Sequence, residues 1–393
     1  MGQNRQWDKR AGLGLIGLVV IGLVAAAGCG GNGSGSDGDG TPAAPTRSFA
    51  MGFTPWPYAA TLQAVGDTYA KVHAHGDLIT HHLDSGVPWP EAYADAPPYN
   101  AGYNANVEGE LDQRLANTDA LMPVLLAVCP LNTQRNAPAD YWGSSANMPR
   151  PSPWDSYDFG DQELADAYVN YLLNLIDRFA PAYCNYGIEA TEYIRNHPTR
   201  ANDLFGFLQA VYTAVKQVHP NLPLFISVTL QAPGSSDALL VQGYAAQIAA
   251  CSDILGVSSY GYIFYGHADS GNPANLPADW LSQAQAYAPG LPLAIAESGW
   301  IAEDLVISSY SVNISGTADW QADYVQKLLA EADRLNALFV TWFAMVDFDT
   351  LWNDTLGQDP LARIWRDTGL YNETGQTRPS LAVWDAWLAR QTR

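Results

Sequence analysis

Beyond residue 48 the chain alternates short, continuous apolar runs with longer stretches in which apolar positions recur every three or four residues. Continuous runs of this kind suit strands buried on both faces, and the longer period suits helices with one apolar face. Eight runs read as strands: "SFAMGFTPW", "DLITHHLD", "LMPVLLAVC", "YCNYGIE", "LPLFISVTL", "SDILGVSSY", "LPLAIAES" and "ALFVTWFAM". Between several of them lie helical patterns. In "NDLFGFLQAVYTAVKQVHP", Leu204, Phe207, Leu208, Val211, Tyr212 and Val215 share a face, Asn202 or Asp203 is placed to cap the start, and Pro220 marks the end. "DQELADAYVNYLLNLIDRFA" and "ADWQADYVQKLLAEADRLN" behave alike. Strands alternating with helices predict a parallel sheet, and eight such units favour a single (β/α)8 TIM barrel over an open sheet. No GxGxxG follows the first strand, which weakens a dinucleotide-binding alternative.

Two of these runs end in a carboxylate, Glu189 in "YGIEAT" and Glu297 in "LAIAESGW". An ionised carboxylate is costly to bury, so two placed at strand ends suggest a common target. In a barrel the C-terminal ends of the strands face the active site. The separation of the two fits three βα units of about 35 residues each. Two converging carboxylates are what glycoside hydrolysis needs: one protonates the departing oxygen, the other attacks the anomeric carbon or activates water. A gap of about 5 Å between them predicts retention of configuration, and about 9 Å inversion. Such chemistry requires no metal or organic cofactor, and none is expected.

Composition narrows the substrate. The formal charge of −21 argues against nucleic acid and disfavours an anionic ligand. The 13 Trp and 21 Tyr supply flat apolar surface for packing and for stacking on sugars. The 48% of hydrophobic residues exclude disorder over most of the chain. A monomer is expected.

The first residues read as a targeting segment rather than part of the fold. Arg5, Lys9 and Arg10 precede an apolar stretch and then small residues before Cys29, the order of a secretory signal over residues 1–28. Ala26-Ala27-Gly28-Cys29 is similar to a bacterial lipobox, which predicts lipidation of Cys29 and anchoring to a membrane in the cell envelope, outside the cytoplasm. A plain signal peptide or an uncleaved anchor is the alternative. Residues 29–47 read as a Gly/Ser/Asp-rich tether and 48–393 as the barrel. Cys129, Cys184 and Cys251 sit among apolar neighbours and are expected as buried thiols.

From the fourth strand to the eighth the motifs resemble those of retaining glycoside hydrolases of clan A, most of all family 53, the arabinogalactan endo-β-1,4-galactanases. Gly187-Ile188-Glu189-Ala190-Thr191 resembles the family's G-N-E-I-T, which implies that Glu189 is the acid/base. "DILGVSSYG" resembles D-V-I-G-L-S-Y-Y-P and implies that Tyr260 touches the nucleophile. Glu297-Ser298-Gly299 resembles E-T-G and implies that Glu297 is that nucleophile. In "TWF" Trp342 is the expected floor under the sugar, and the tail "GLYNETGQTRPSLAVWDAW" resembles the closing segment of such barrels. Two positions depart: Ile188 stands where the family has an asparagine that holds a sugar hydroxyl, and Gly261 where it has proline.

Other residues join the expected site. Glu192 competes with Glu189 for the acid role, and Glu297 has the alternative of a buried structural carboxylate. His81, His82 and Asp84 end the second strand and are expected to hydrogen-bond sugar hydroxyls; loop histidines without a ligand are the alternative. Trp89 is placed either to stack on sugar or to pack. His73-Ala74-His75 has the spacing of a metal pair but precedes its strand, so no metal site is expected. The reading is a retaining O-glycoside hydrolase acting on a neutral, galactan-like or other β-glycan. A non-catalytic glycan-binding surface lipoprotein on the same scaffold is the alternative.

Overall fold

The computed structural model describes residues 45–393, apart from Ala101 and Ala268. Cys29, the expected signal and nearly all of the expected tether lie outside the described residues. Eight parallel strands close into a barrel. They are β1 (Ala50–Phe53), β2 (Leu78–Leu83), β3 (Val124–Val128) and β4 (Tyr183–Gly187). The circle continues with β5 (Leu224–Thr229), β6 (Leu255–Ser259), β7 (Leu293–Ser298) and β8 (Phe339–Trp342), which pairs back onto β1. Each of the eight apolar runs contributes one strand.

The expected helices form as Gln162–Phe179, Ala201–Val218 and Ala318–Arg334. One cap differs from expectation. The second of these starts at Ala201, straight out of the turn Pro198–Arg200, with no side-chain cap, so neither Asn202 nor Asp203 serves. Its face Leu204, Phe207, Leu208, Val211 and Val215 is buried, as the periodicity requires. The three thiols Cys129, Cys184 and Cys251 are free and buried.

The barrel interior is layered, and the layers place the site. The lowest holds Leu78, Leu125, Phe225, Ile254, Ala294 and Phe339, with Ala296 packing onto it from one layer above. Gly256 leaves room for the Phe225 ring there, since a Cβ would stand 2.3 Å from it. Above lies a neutral polar layer, in which Thr80 and Thr341 join hydroxyls at 3.0 Å and the Asn185 amide donates to Ser227 Oγ at 3.1 Å. Inward residues alternate along each strand. Above Thr80 on β2, therefore, His82 and then Asp84 point into the mouth, while His81 points out.

Candidate active site

Two strands carry an extra residue at the mouth. On β4 the register against β5 shifts between Asn185 and Gly187. On β7 it shifts against both neighbours around Ala296 and Glu297. Such bulges re-aim side chains. At β7 the bulge turns Glu297 inward although Ala296 beside it also belongs to the interior. At β4 the bulge brings the backbone against β5, where a Cβ on Gly187 would meet Ile226 at 2.7 Å. One residue, Ile188, separates the end of β4 from Glu189, which adopts φ +50°, the left-handed region uncommon for a residue with a Cβ. Ser227 on β5 holds this turn. Its Oγ accepts from the Glu189 N–H at 2.9 Å and its carbonyl from Ala190 at 3.0 Å.

Glu297 receives two contacts. The Tyr260 hydroxyl, at the end of β6, donates a short hydrogen bond to Oε1, and His82 Nδ1 lies 3.5 Å from Oε2. Burial and the Glu297 charge push the Tyr260 phenol well above its ordinary value, so it stays a donor. Burial opposes a charged His82, but its bond to Asp84 and the Glu297 and Asp84 charges raise its proton affinity overall.

Glu189 stands in a different field. Its side chain is 18% exposed, and Arg135 Nε lies 3.5 Å from Oε2. Burial raises its carboxyl to about 7; Arg135 pulls against this, while the charges of Glu297 and Glu192 add to it. Arg135 also grips Asp84 with both terminal nitrogens, at 3.2 and 3.0 Å. Burial works against the Asp84 charge, but Arg135 and His82 outweigh it and hold that carboxyl down at about 2. With His82 Nε2 4.0 Å from Asp84, contacts run unbroken from Glu189 through Arg135, Asp84 and His82 to Glu297. Glu192 sits in the first turn of the helix Thr191–Asn196, bound by Arg195 at 2.6 Å and by the Gln231 amide at 3.2 Å. Its charge is already met.

Of the residues expected at the site, the structure gathers Glu189, Glu297, Tyr260, His82 and Asp84. Three are corrected. His81 is fully buried outside the barrel, 2.8 Å from Thr118 Oγ1 and packed on Phe179, and burial next to Arg114 holds its proton affinity well below the ordinary value. Trp89 is likewise buried, donates to Ala139 O at 2.8 Å and stacks on Trp154, so it packs and reaches no mouth. Trp342 is buried among Tyr324 and Trp384 and donates to Thr368 O at 3.0 Å. Strand alternation explains it: Thr341 faces in, so Trp342 faces the helices and Phe343 faces in again. Phe343 is partly exposed and lies edge-on to Trp56, in the loop after β1, at 5.6 Å. Ile188 is buried on the outer side, in the core beneath the helices. His75 is taken by Asp385 at 2.8 Å and by the Tyr371 hydroxyl at 2.9 Å.

Sequence reading missed Arg135, Phe343 and Trp56. Phe343 was accessible from the parity of β8 once one inward residue was fixed. Arg135 had no motif around it; its only signal was a cation following a strand end in a chain with 19 Lys and Arg.

Neither a protein-family model nor a curated protein matches this sequence. Solved structures do match it in fold. The exo-beta-1,4-mannosidase Op5Man5 from Opitutaceae bacterium strain TAV5 superposes with a TM-score of 0.56 at 14% identity, over 86% of this chain and 59% of its own length. A GH5_18 structure from Streptomyces cattleya, in complex with GlcNAc, gives 0.56 at 17% identity, covering 89% of this chain and 83% of that one. The Ignisphaera aggregans GH53 catalytic domain gives 0.53 at 17% identity, over 88% and 98%. These neighbours are clan A glycoside hydrolases. What this chain shares with them at such identities is the architecture: a closed (β/α)8 barrel.

Proposed function

We propose that the protein is a retaining glycoside hydrolase acting on a neutral β-glycan, with Glu297 as nucleophile and Glu189 as acid/base. The observation that carries this is the contrast between two carboxylates at one barrel mouth. Glu297 accepts from the Tyr260 hydroxyl and faces His82 Nδ1, the setting of a group that must offer an electron pair. Glu189, raised to about 7, is about half protonated at neutral pH, so it can give up a proton and take one back. In the first step Glu297 bonds to the anomeric carbon as the glycosidic C–O bond breaks, and the Glu189 proton goes to the leaving oxygen. In the second, Glu189 takes a proton from water as water displaces Glu297.

Arg135 pairs with Asp84, and the Glu297 and Asp84 charges raise the proton affinity of His82, so the charged groups of the mouth face one another. Such a site suits a substrate without charge. Phe343 and Trp56 offer the flat surface on which a sugar ring would rest, in the role first expected of Trp342. The glycosidase neighbours are in keeping with this reading, and the mannosidase among them together with the resemblance to family 53 makes β-mannan and galactan the first substrates to try.

A second reading keeps one observation in its favour. Ile188 presents no amide to the mouth, so a hydroxyl-holding group that the family pattern supplies there is missing, which suits a glycan-binding protein without turnover. A screen for reducing-sugar release from β-mannan, galactan, xylan and bacterial glycans, run with Glu297→Ala as blank, separates the two. Release that the variant lacks supports the enzyme; binding to a glycan without release supports the alternative. Lipidation at Cys29 and attachment outside the cytoplasmic membrane complete the proposal. Cys29→Ser should free the protein from the membrane fraction, and a variant still acylated and bound would overturn that part.

A further inference from the structure

Arg135 lies in the loop after β3 and is almost fully buried. Its two terminal nitrogens are committed, to both oxygens of Asp84 and, through one of them, to the Asn132 carbonyl at 3.2 Å. The Nε–H is not. It is buried without a hydrogen-bond partner and lies 3.5 Å from Glu189 Oε2. Leaving a buried donor unpaired is unfavourable, so a donor this close to a carboxylate oxygen invites a state in which that oxygen accepts.

We propose that Arg135 is a positioning residue for the ionised form of Glu189, its free Nε–H closing onto the carboxylate left when the proton departs, and that Asp84 limits how much of the guanidinium charge Glu189 feels. This inference rests on reading Glu189 as the proton-bearing carboxyl. While Glu189 keeps its proton, Arg135 rests on Asp84. As the C–O bond breaks and the proton moves to the leaving oxygen, the new carboxylate gains a charge-assisted bond, stronger than one between neutral groups. A free guanidinium at this distance would hold Glu189 ionised throughout and take away its acid role. Asp84, occupying both terminal nitrogens, prevents that. The same Asp84 sits beside His82, which faces Glu297, so one carboxylate steadies both halves of the site.

The groups facing Glu189 come from every neighbouring element: Arg135 and Cys129 from the end of β3 and its loop, Glu297 from β7, His82 and Asp84 from β2, Tyr260 from β6, and Glu192 from the following helix. Cys129 and Tyr260 stay neutral, both pushed up by burial. Arg135 lowers the Glu189 carboxyl against its burial, and Glu297 and Glu192 raise it.

The test reads protonation without turnover, so it stands or falls apart from the glycosidase reading. The full chain is labelled with 13C at the Glu side-chain carboxyls and 15N at Arg, with Glu189→Gln to assign the signal, and titrated by NMR. In the wild type the Arg135 Nε–H resonance should move with the Glu189 midpoint, and this movement should vanish in Glu189→Gln. Arg135→Lys keeps a cation for Asp84 but has no Nε–H, and should raise the midpoint by about one pH unit. Asp84→Asn releases the guanidinium to Glu189 and should lower it by a similar amount. Opposite shifts are the signature, because a general loosening would move both variants the same way. A wild-type Nε–H that ignores the Glu189 titration, or shifts of one sign in both variants, overturns the proposal; the wild-type measurement decides even if a variant fails to fold.

Discussion

At β7 the carboxylate lies within the strand; at β4 one residue separates it from the strand's end. The consequences differ. Inside the ladder Glu297 has rigid neighbours, and the next strand, β6, leads straight to the Tyr260 hydroxyl that binds it. Beyond the ladder Glu189 depends on a left-handed turn pinned by Ser227, and its ionic partner is the Arg135 guanidinium, shared with Asp84. The same side chain thus meets fixed donors in one place and burial with a divided cation in the other. What separates a candidate nucleophile from a candidate acid here is the company each keeps.

That contrast can be broken at either end. The largest effect is expected from Glu297→Ala. It should lose turnover on glycans and on activated aryl glycosides alike, because no leaving group removes the need for a nucleophile. Product analysis on both substrate types checks this, and turnover of aryl glycosides by the variant would reassign the roles. Glu189→Ala should lose about 10²- to 10⁴-fold on natural glycans but much less on substrates whose leaving group needs no proton. Added azide should restore its turnover, with a glycosyl azide of retained configuration seen by NMR. If Glu192→Ala shows that rescue instead, the acid lies on the helix and not on the turn.

Smaller changes sharpen the comparison. Tyr260→Phe keeps the ring and removes one donor to a charged group, worth about 1.5–3 kcal/mol, so kcat/KM should fall about tenfold to a hundredfold with little change in fold. Circular dichroism beside the kinetics separates the two. The last concerns stability and pH. The Glu189 carboxyl is raised in the folded protein from 4.5 to about 7, so its contribution is fully present below pH 4.5 and lost as the pH rises through 7. Glu189→Gln should therefore be more stable than the wild type at pH 8, by as much as about 3 kcal/mol, and nearly equal at pH 4. Denaturant unfolding at the two pH values measures it. An equal difference at both would mean that burial does not raise the carboxyl.

Much of this was legible in the chain. Eight apolar runs became eight strands because a strand covered on both faces must be apolar throughout. Glu189 and Glu297 were found because strand ends of a barrel converge, whatever the loops do, and Tyr260 because its motif resembles that of family 53. Two of the three failures share one cause, while the third, Trp89, opens the helix Trp89–Ala94 and packs on Trp154. His81 and His82 are adjacent, as are Trp342 and Phe343, and adjacent strand residues face opposite ways, so only one of each pair reaches the mouth. A run apolar on both faces carries no mark of which side is inside. The register came only from Thr80 meeting Thr341 across the barrel and from bulges that no composition announces. Local sequence therefore determined the elements, their order and the ends at which carboxylates stand, since these follow from hydrophobic period and covalent neighbours. Closure of the barrel decided the facing of each residue and brought Arg135 and Asp84 between the two glutamates, because contacts between distant segments exist only once the sheet has curled onto itself.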